Sequence, residues 1–138
     1  MRIIPSIMLS AALTAAGVQA QAAPNEKGEA KLAKEIEGRV AGKPVSCINF
    51  RDIRSSRIID GTAIVYETSG RKIYVNRPTS GASFLRKGDA LVTRTSLSQL
   101  CNVDIVRLYD TTARFERGSV GLGQFVPYEK VKSAANGG

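Results

Sequence analysis

Apolar and polar positions alternate in short runs along most of this chain, and the runs begin at residue 45. Turn residues such as glycine, proline and aspartate separate the runs, at intervals of about ten residues. Short strands divided by such residues are typical of all-β folds. The pattern therefore predicts an all-β domain over residues 45–132, built as a small antiparallel sandwich or barrel. The apolar runs are 45–50, 58–59, 63–67, 71–77, 90–95, 103–109 and 125–128.

The clearest element is a β-hairpin with arms at 63–67 and 71–77 and a loop at 68–70. Gly70 suits a left-handed loop position. Pairing Glu67 with Arg71 places Val65 opposite Ile73 on one apolar face, which we expect to be core. The opposite face is a second, partly solvated layer or a contact surface. It carries Ile64, Tyr66, Lys72 and Tyr74.

Residues 21–44 differ from the rest because they are charged and helix-prone, mainly over 25–39. Their apolar stripe is narrow, with Leu32 and Ile36 as its large members. So narrow a stripe predicts a loosely docked helix or a flexible leader rather than a core element.

Residues 1–20 have the pattern of a secretory signal peptide. Arg2 gives positive charge, an apolar run follows, and Val18-Gln19-Ala20 places small residues at the cleavage positions. A membrane anchor is the alternative, but the apolar run is interrupted and shorter than the roughly 20 residues that a spanning helix needs. We therefore expect a periplasmic or secreted bacterial protein with no transmembrane segment after cleavage. At the other end, residues 133–138 predict a disordered tail.

The sequence contains two cysteines, Cys47 and Cys101, and no histidine. In an oxidising compartment an even cysteine count predicts a disulfide. A redox pair is the alternative, but the two cysteines lack Cys-x-x-Cys spacing. Two cysteines without histidine cannot form a tetrahedral nitrogen and sulfur zinc site within one chain. We therefore expect a structural disulfide, no metal and no cofactor.

The chain is basic, with a formal net charge of +8. Arginine suits phosphate and carboxylate recognition, whereas the simpler interpretation is that these residues keep strand faces solvated. In an envelope the available partners are anionic lipid, polysaccharide or acidic protein, and nucleic acid is not expected. The candidate partner surface comprises Arg51, Arg54, Arg57, Arg71, Lys72, Arg77, Tyr66 and Tyr74.

Without histidine, the chain lacks the commonest general base, so familiar catalytic triads cannot be assembled. We therefore expect a non-enzymatic binding or structural role in the cell envelope. One alternative is a small carboxylate-dependent hydrolase, and another is an envelope subunit or inhibitor that acts through an exposed edge strand. The carboxylates available to a hydrolase are Asp52, Asp60, Glu67, Asp89, Asp104, Asp110 and Glu116.

Several short motifs accompany the two cysteines: Cys47-Ile48, Gly70-Arg71 with Tyr74, Gly88-Asp89, and Cys101 before Val103-Asp104-Ile105. With them the chain resembles, over roughly residues 45–110, a family of short exported bacterial proteins of unknown function with paired cysteines. Members of that family tend to carry a further cysteine after the tyrosine strand, and residues 77–80 have none here. The resemblance implies a compartment and a shape, and no activity.

Overall fold

The computed structural model describes residues 25–131, so the predicted signal peptide and C-terminal tail lie outside the described residues. The predicted all-β class with a short N-terminal helix is confirmed. The elements are α1 (Glu26–Glu35), β1 (Arg39–Ala41), β2 (Cys47–Asn49), β3 (Ile53–Ile59), β4 (Ala63–Thr68), β5 (Ile73–Asn76), β6 (Ala90–Thr93), β7 (Gln99–Cys101), β8 (Ile105–Asp110), β9 (Phe115–Gly121) and β10 (Phe125–Lys130).

Three antiparallel sheets make up the fold, and within residues 25–131 they form an open sandwich rather than a closed barrel. The five-stranded sheet has the order β1-β10-β5-β4-β3, the three-stranded sheet has the order β6-β8-β9, and β2 pairs with β7. Strand β1 lies inside the segment 21–44 that we expected to be a helical leader, and it pairs with β10.

The main core lies between the five-stranded and three-stranded sheets. Ile64 and Tyr66 of β4 pack there with Leu108 of β8, Val120 of β9 and Phe125 of β10. Alternate residues of a strand point to opposite faces, so these side chains define the inner face of each sheet. On the hairpin face that we expected to be a partly solvated layer or a contact surface, Ile64 and Tyr66 therefore belong to the main core, whereas Lys72 and Tyr74 are half-buried at its margin.

A second core lies on the opposite face of the five-stranded sheet, where α1 covers it. Leu32 is only 1% exposed, and it packs with Ala63, Val65, Ile73 and Val75. The predicted aliphatic face is therefore core, as expected. The expectation of a helix outside the core is wrong, because Leu32 is buried in this second core and the partly buried Ile36 packs against it.

The hairpin β4–β5 forms as predicted, but its register differs by two residues. Glu67 pairs with Ile73 and Val65 pairs with Val75, because the three-residue loop is 69–71 instead of 68–70, with the Thr68 N–H bonded to the Lys72 carbonyl. Gly70 takes a φ of 82° and the next residue, Arg71, a φ of 63°. A shift of two residues leaves every side chain on its predicted face, since side chains alternate with period two.

The disulfide Cys47–Cys101 is present, as predicted from the cysteine count. The two cysteines lie directly opposite each other in the small β2–β7 sheet. Ile48 and Leu100, next to them, enter the main core. The bond therefore ties the small sheet to one end of the sandwich.

Helix α1 is fixed at its N-terminus by Asn25 and by a close contact with the β3–β4 turn. The Asn25 side chain accepts a hydrogen bond from the Gly28 N–H at 3.2 Å and donates one to the Asp60 carbonyl at 2.9 Å. A Cβ atom on Gly28 would lie 2.9 Å from both the Asp60 carbonyl oxygen and the Thr62 Cβ. The absence of a side chain at Gly28 is therefore what lets the helix approach the turn.

We expect replacement of Cys47 and Cys101 together by alanine to lower the free energy of unfolding by about 4 kcal/mol, the chain-entropy value for a loop of this length. Denaturant unfolding measures the change. The matched control replaces the neighbouring residues Ser46 and Asn102 by alanine. Equal midpoints for the two double variants would contradict a stabilising role for the bond.

We expect Gly28→Ala to destabilise the fold by about 1–3 kcal/mol, because the added methyl group overpacks the contact with Thr62 and Asp60. The sign of this change in the free energy of unfolding tests the contact. In a helix without such a contact, replacing glycine by alanine stabilises the fold by about 1 kcal/mol. Thermal unfolding of Gly28→Ala, Thr62→Gly and the double variant tests the contact. Stabilisation by Gly28→Ala alone would show that the helix does not dock as described.

Candidate functional site

The structure places the eight predicted surface residues in very different surroundings. Arg51 lies in a 3₁₀ turn before β3, and Arg71 lies in the turn after β4. Because Ile53 of β3 pairs with Thr68 of β4, these two arginines lie at the same end of the sheet. Arg77 follows the other end of β5. The predicted residues therefore do not form one patch.

Tyr66 does not belong to a surface, and its inclusion in the candidate partner surface is wrong. It is 4% exposed and its ring packs against Phe125 with centroids 5.8 Å apart. Burial raises the pKa of the Tyr66 phenol. The three-stranded sheet covers this face of β4, and the sequence around Tyr66 carries no signal of that cover.

Ion pairs neutralise three of the six predicted basic residues. Arg57 contacts Glu35 at 2.7 Å and Glu67 at 3.0 Å. Lys72 contacts Glu129 at 3.0 Å, with its Nζ 5.9 Å from the centroid of the half-buried Tyr74 ring. The guanidinium of Arg77 binds both oxygens of Glu29. Within residues 25–131, Arg51, Arg54 and Arg71 have no salt-bridge partner.

A cleft of about 510 Å³ lies beside β3, between α1 and residues 87–91. We call it the cationic cleft, because its lining holds four cations and three carboxylates. The lining residues are Lys31, Lys34, Glu35, Ser56, Arg57, Ile58, Ile59, Asp60, Lys87, Gly88, Asp89 and Leu91. Its apolar lining consists of the half-buried Leu91 and the edges of Ile58 and Ile59, which are 8% and 6% exposed. Small-molecule and peptide sites commonly combine such a volume and apolar lining with a few polar groups.

The turn after β3 holds the cationic cleft in shape. Asp60 accepts a hydrogen bond from the Lys87 N–H at 2.6 Å and contacts the Lys31 ammonium at 3.5 Å. The Gly61 N–H donates to the Leu85 carbonyl at 3.0 Å. These bonds tie the helix and the segment 85–91 to one turn, so both walls of the cleft are fixed against the strand.

Two lysines on the cleft keep their charge unpaired. Within the described part of the chain, Lys34 and Lys87 contact no carboxylate, whereas Lys31 and Arg57 are paired. None of the three lysines of the cleft is among the eight predicted surface residues. No local pattern marks them, because the cleft exists only once α1 docks beside β3.

Each of the seven carboxylates that could serve a hydrolase has a structural partner. Those of Asp60, Glu67, Asp89, Asp110 and Glu116 form salt bridges. Asp104 accepts a hydrogen bond from the Cys101 N–H at 2.7 Å, and Asp52 accepts one from the Asn49 side chain at 3.3 Å. Asp89, which also lines the cleft, contacts Arg117 at 3.0 Å.

The carboxyl pKa shifts resolved in the structure are all downward. Hydrogen bonds from Arg77 lower the pKa of Glu29, and those from Arg57 lower the pKa of Glu67. Backbone hydrogen bonds from Ala113 and Thr112, together with the charge of Arg117, lower the pKa of Asp110. A general acid needs a raised pKa, so these carboxylates are poorly suited to that role.

Two further features bear on cofactors and membranes. Over residues 25–131, no group of three or more His, Cys, Asp and Glu side chains is placed to hold a metal ion. Over the same residues, no helix has both the length and the apolar character that a membrane crossing requires. Comparison of the chain with protein-family models, curated proteins and solved structures finds no match.

We expect the unfolding temperature to fall as the pH drops below about 4.5, the ordinary value for a glutamate carboxyl. A folded-state pKa below the unfolded value stabilises the fold above the unfolded pKa, and the contribution is lost as pH falls through the folded pKa. Thermal unfolding between about pH 7 and pH 3 measures the loss.

In that measurement Glu67→Gln is expected to show a shallower fall than the unaltered chain, since it removes one titrating partner of Arg57. The matched control is Glu37→Gln, at an exposed glutamate with no salt bridge within residues 25–131. Identical pH profiles for Glu67→Gln and the unaltered chain would contradict the assignment.

Proposed function

We propose that this chain is a non-enzymatic binding domain of the bacterial cell envelope, and that it holds an anionic partner in the cationic cleft. The observation that carries the proposal is a cleft in which apolar side chains lie beside two lysines, Lys34 and Lys87, that no carboxylate of residues 25–131 neutralises. An anionic group with an apolar body makes two kinds of contact at once, because its charge meets Lys34 or Lys87 while its body covers Leu91 and the exposed edge of Ile58.

The predicted compartment agrees with this role. The signal-like residues 1–20 and the resemblance to exported bacterial proteins favour the periplasm or secretion, and the Cys47–Cys101 disulfide is stable in such oxidising surroundings. Anionic lipid, polysaccharide and acidic protein are the charged partners found there. The proposal thus replaces the predicted arginine-rich surface with a site that is concave and only partly neutralised.

The hydrolase alternative has less support. Glycoside hydrolysis uses two carboxyl groups about 5–9.5 Å apart, one of them with a raised pKa. Three carboxylates line the cleft, but Glu35, Asp60 and Asp89 are each bound to a cation. Carboxylates held in this way organise cations rather than transfer protons.

We expect the double variant Lys34→Gln with Lys87→Gln to bind a heparin column about tenfold more weakly, because two exposed charge contacts of up to ~1 kcal/mol each are lost. The salt concentration at elution and a titration with soluble heparin measure the loss. The matched control is Lys27→Gln with Lys43→Gln, which makes the same change in net charge at exposed lysines outside the cleft.

A third variant, Arg51→Gln with Arg71→Gln, tests the unpaired arginines at the end of the sheet. Equal weakening of all three double variants would mean that heparin responds to net charge alone. Weakening confined to the arginine variant would place the site at the end of the sheet. Either result would overturn the assignment to the cleft.

A further inference from the structure

The cationic cleft runs along a strand whose outer edge is unpaired within the described residues. Strand β3 is seven residues long, pairs only with β4 and ends the order of the five-stranded sheet. Exposed strand edges offer a row of N–H and C=O groups to another chain. The free backbone groups of β3 and the side chains around them therefore decide which partner could pair with this edge.

Hydrogen bonds in the adjoining turns identify the free backbone groups. The Ile59 carbonyl accepts from the Thr62 N–H within the β3–β4 turn, so Ile59 faces β4. Orientation alternates along a strand, so Arg57 also faces β4 and Ser56 and Ile58 face outward. The β4 side gives the same result. The Thr68 N–H donates to the Lys72 carbonyl, so the backbone groups of Thr68 face β5. Counting back along β4, those of Glu67 and Val65 then face β3, where they pair with Ser55 and Arg57.

Ser56 and Ile58 both line the cationic cleft. Their outward N–H and C=O groups therefore border the space that a ligand would occupy. Within residues 25–131, no backbone group outside strand β4 hydrogen-bonds to residues 55–58. We propose that the cleft takes an extended acidic peptide, which adds to β3 as a sixth strand of the sheet; this inference rests on the proposed function.

The side chains around the edge specify the peptide. On one face of the added strand lie Ile58 and Leu91, and on the other face lie the lysines of α1. Side chains of a strand alternate between these faces. The matching peptide therefore alternates apolar residues, which contact Leu91 and the exposed edge of Ile58, with Asp or Glu, which contact Lys34. Strand addition of this kind takes affinity from the main chain and specificity from alternate side chains.

Charge also argues against a second copy of this chain as the occupant. Strand β3 carries two arginines and no carboxylate, so a second copy of it would bring positive charge beside the unpaired Lys34 and Lys87. Like charges close together across a strand pair destabilise it. An acidic strand in the same place meets these lysines with the opposite sign.

The test uses a terminally blocked octapeptide that alternates glutamate and valine, added to the isotope-labelled full chain. Amide hydrogen exchange at Ser56 and Ile58 is expected to slow at least about tenfold, whereas Ser55 and Arg57, already bonded to β4, change little. An alternating lysine and valine peptide and a block peptide of four glutamates followed by four valines are the controls.

A pair of variants checks that the main chain carries the binding. Ser56→Pro removes the outward N–H at an edge position where proline is tolerated, and it is expected to weaken peptide binding at least about tenfold. Ser56→Ala keeps the N–H and is expected to bind as the unaltered chain does. If Ser56→Pro does not fold, the exchange measurement on the unaltered chain decides alone.

The outcomes separate this inference from the proposed function. Unchanged exchange at Ser56 and Ile58, or equal slowing by the lysine peptide, would overturn the inference. If heparin binding still depends on Lys34 and Lys87 in that case, the anion-binding function stands. If exchange at Ser56 and Ile58 is unchanged and heparin binding also does not depend on Lys34 and Lys87, the inference and the proposed function are both overturned.

Discussion

Strand β4 is apolar on both faces, and the rest of the structure is arranged to keep water from each of them. Ile64 and Tyr66 need cover from the three-stranded sheet, while Ala63 and Val65 need cover from α1. Burial of one such side chain contributes about 1.5–3 kcal/mol for the large members. Exposure of either face would therefore remove a large part of a typical stability of 5–15 kcal/mol. Two covers on opposite faces of one sheet leave a space between them at its edge, and the cationic cleft is that space.

The hairpin and the face of each of its side chains could be predicted from the sequence, because period-two alternation is a local property. The element that covers a face is distant in sequence, so the local pattern wrongly predicts a surface position for Tyr66 and a loosely docked helix for Leu32. The register was wrong by two residues because Arg71 joins Gly70 in a left-handed conformation that non-glycine residues seldom adopt. The cysteine pairing could be predicted because two cysteines allow only one bond.

Which basic residues stay unpaired could not be predicted from the sequence. Arg57 is neutralised by Glu35, 22 positions away, and Arg77 by Glu29, 48 positions away. Pairs at such separations arise from the docking of α1 on the sheet, which no sequence pattern announces. The net charge of +8 thus overstates the charge available to a partner. It also gives no hint that Lys34 and Lys87 meet on one cleft.

The positive side chains along the β3 edge act differently on two kinds of strand: they repel a strand of like charge and attract one of opposite charge. Natural sheets discourage edge-to-edge pairing with charged side chains and bulges, and β3 has both, since its register shifts between Ile53 and Ser55 beside Arg54. These devices repel another copy of the same strand because the charges are alike. They do not repel a strand of opposite charge, and the outward N–H groups of Ser56 and Ile58 remain available to it. Cations along an edge therefore disfavour self-pairing, and the same charges favour the acidic strand that we propose as the partner.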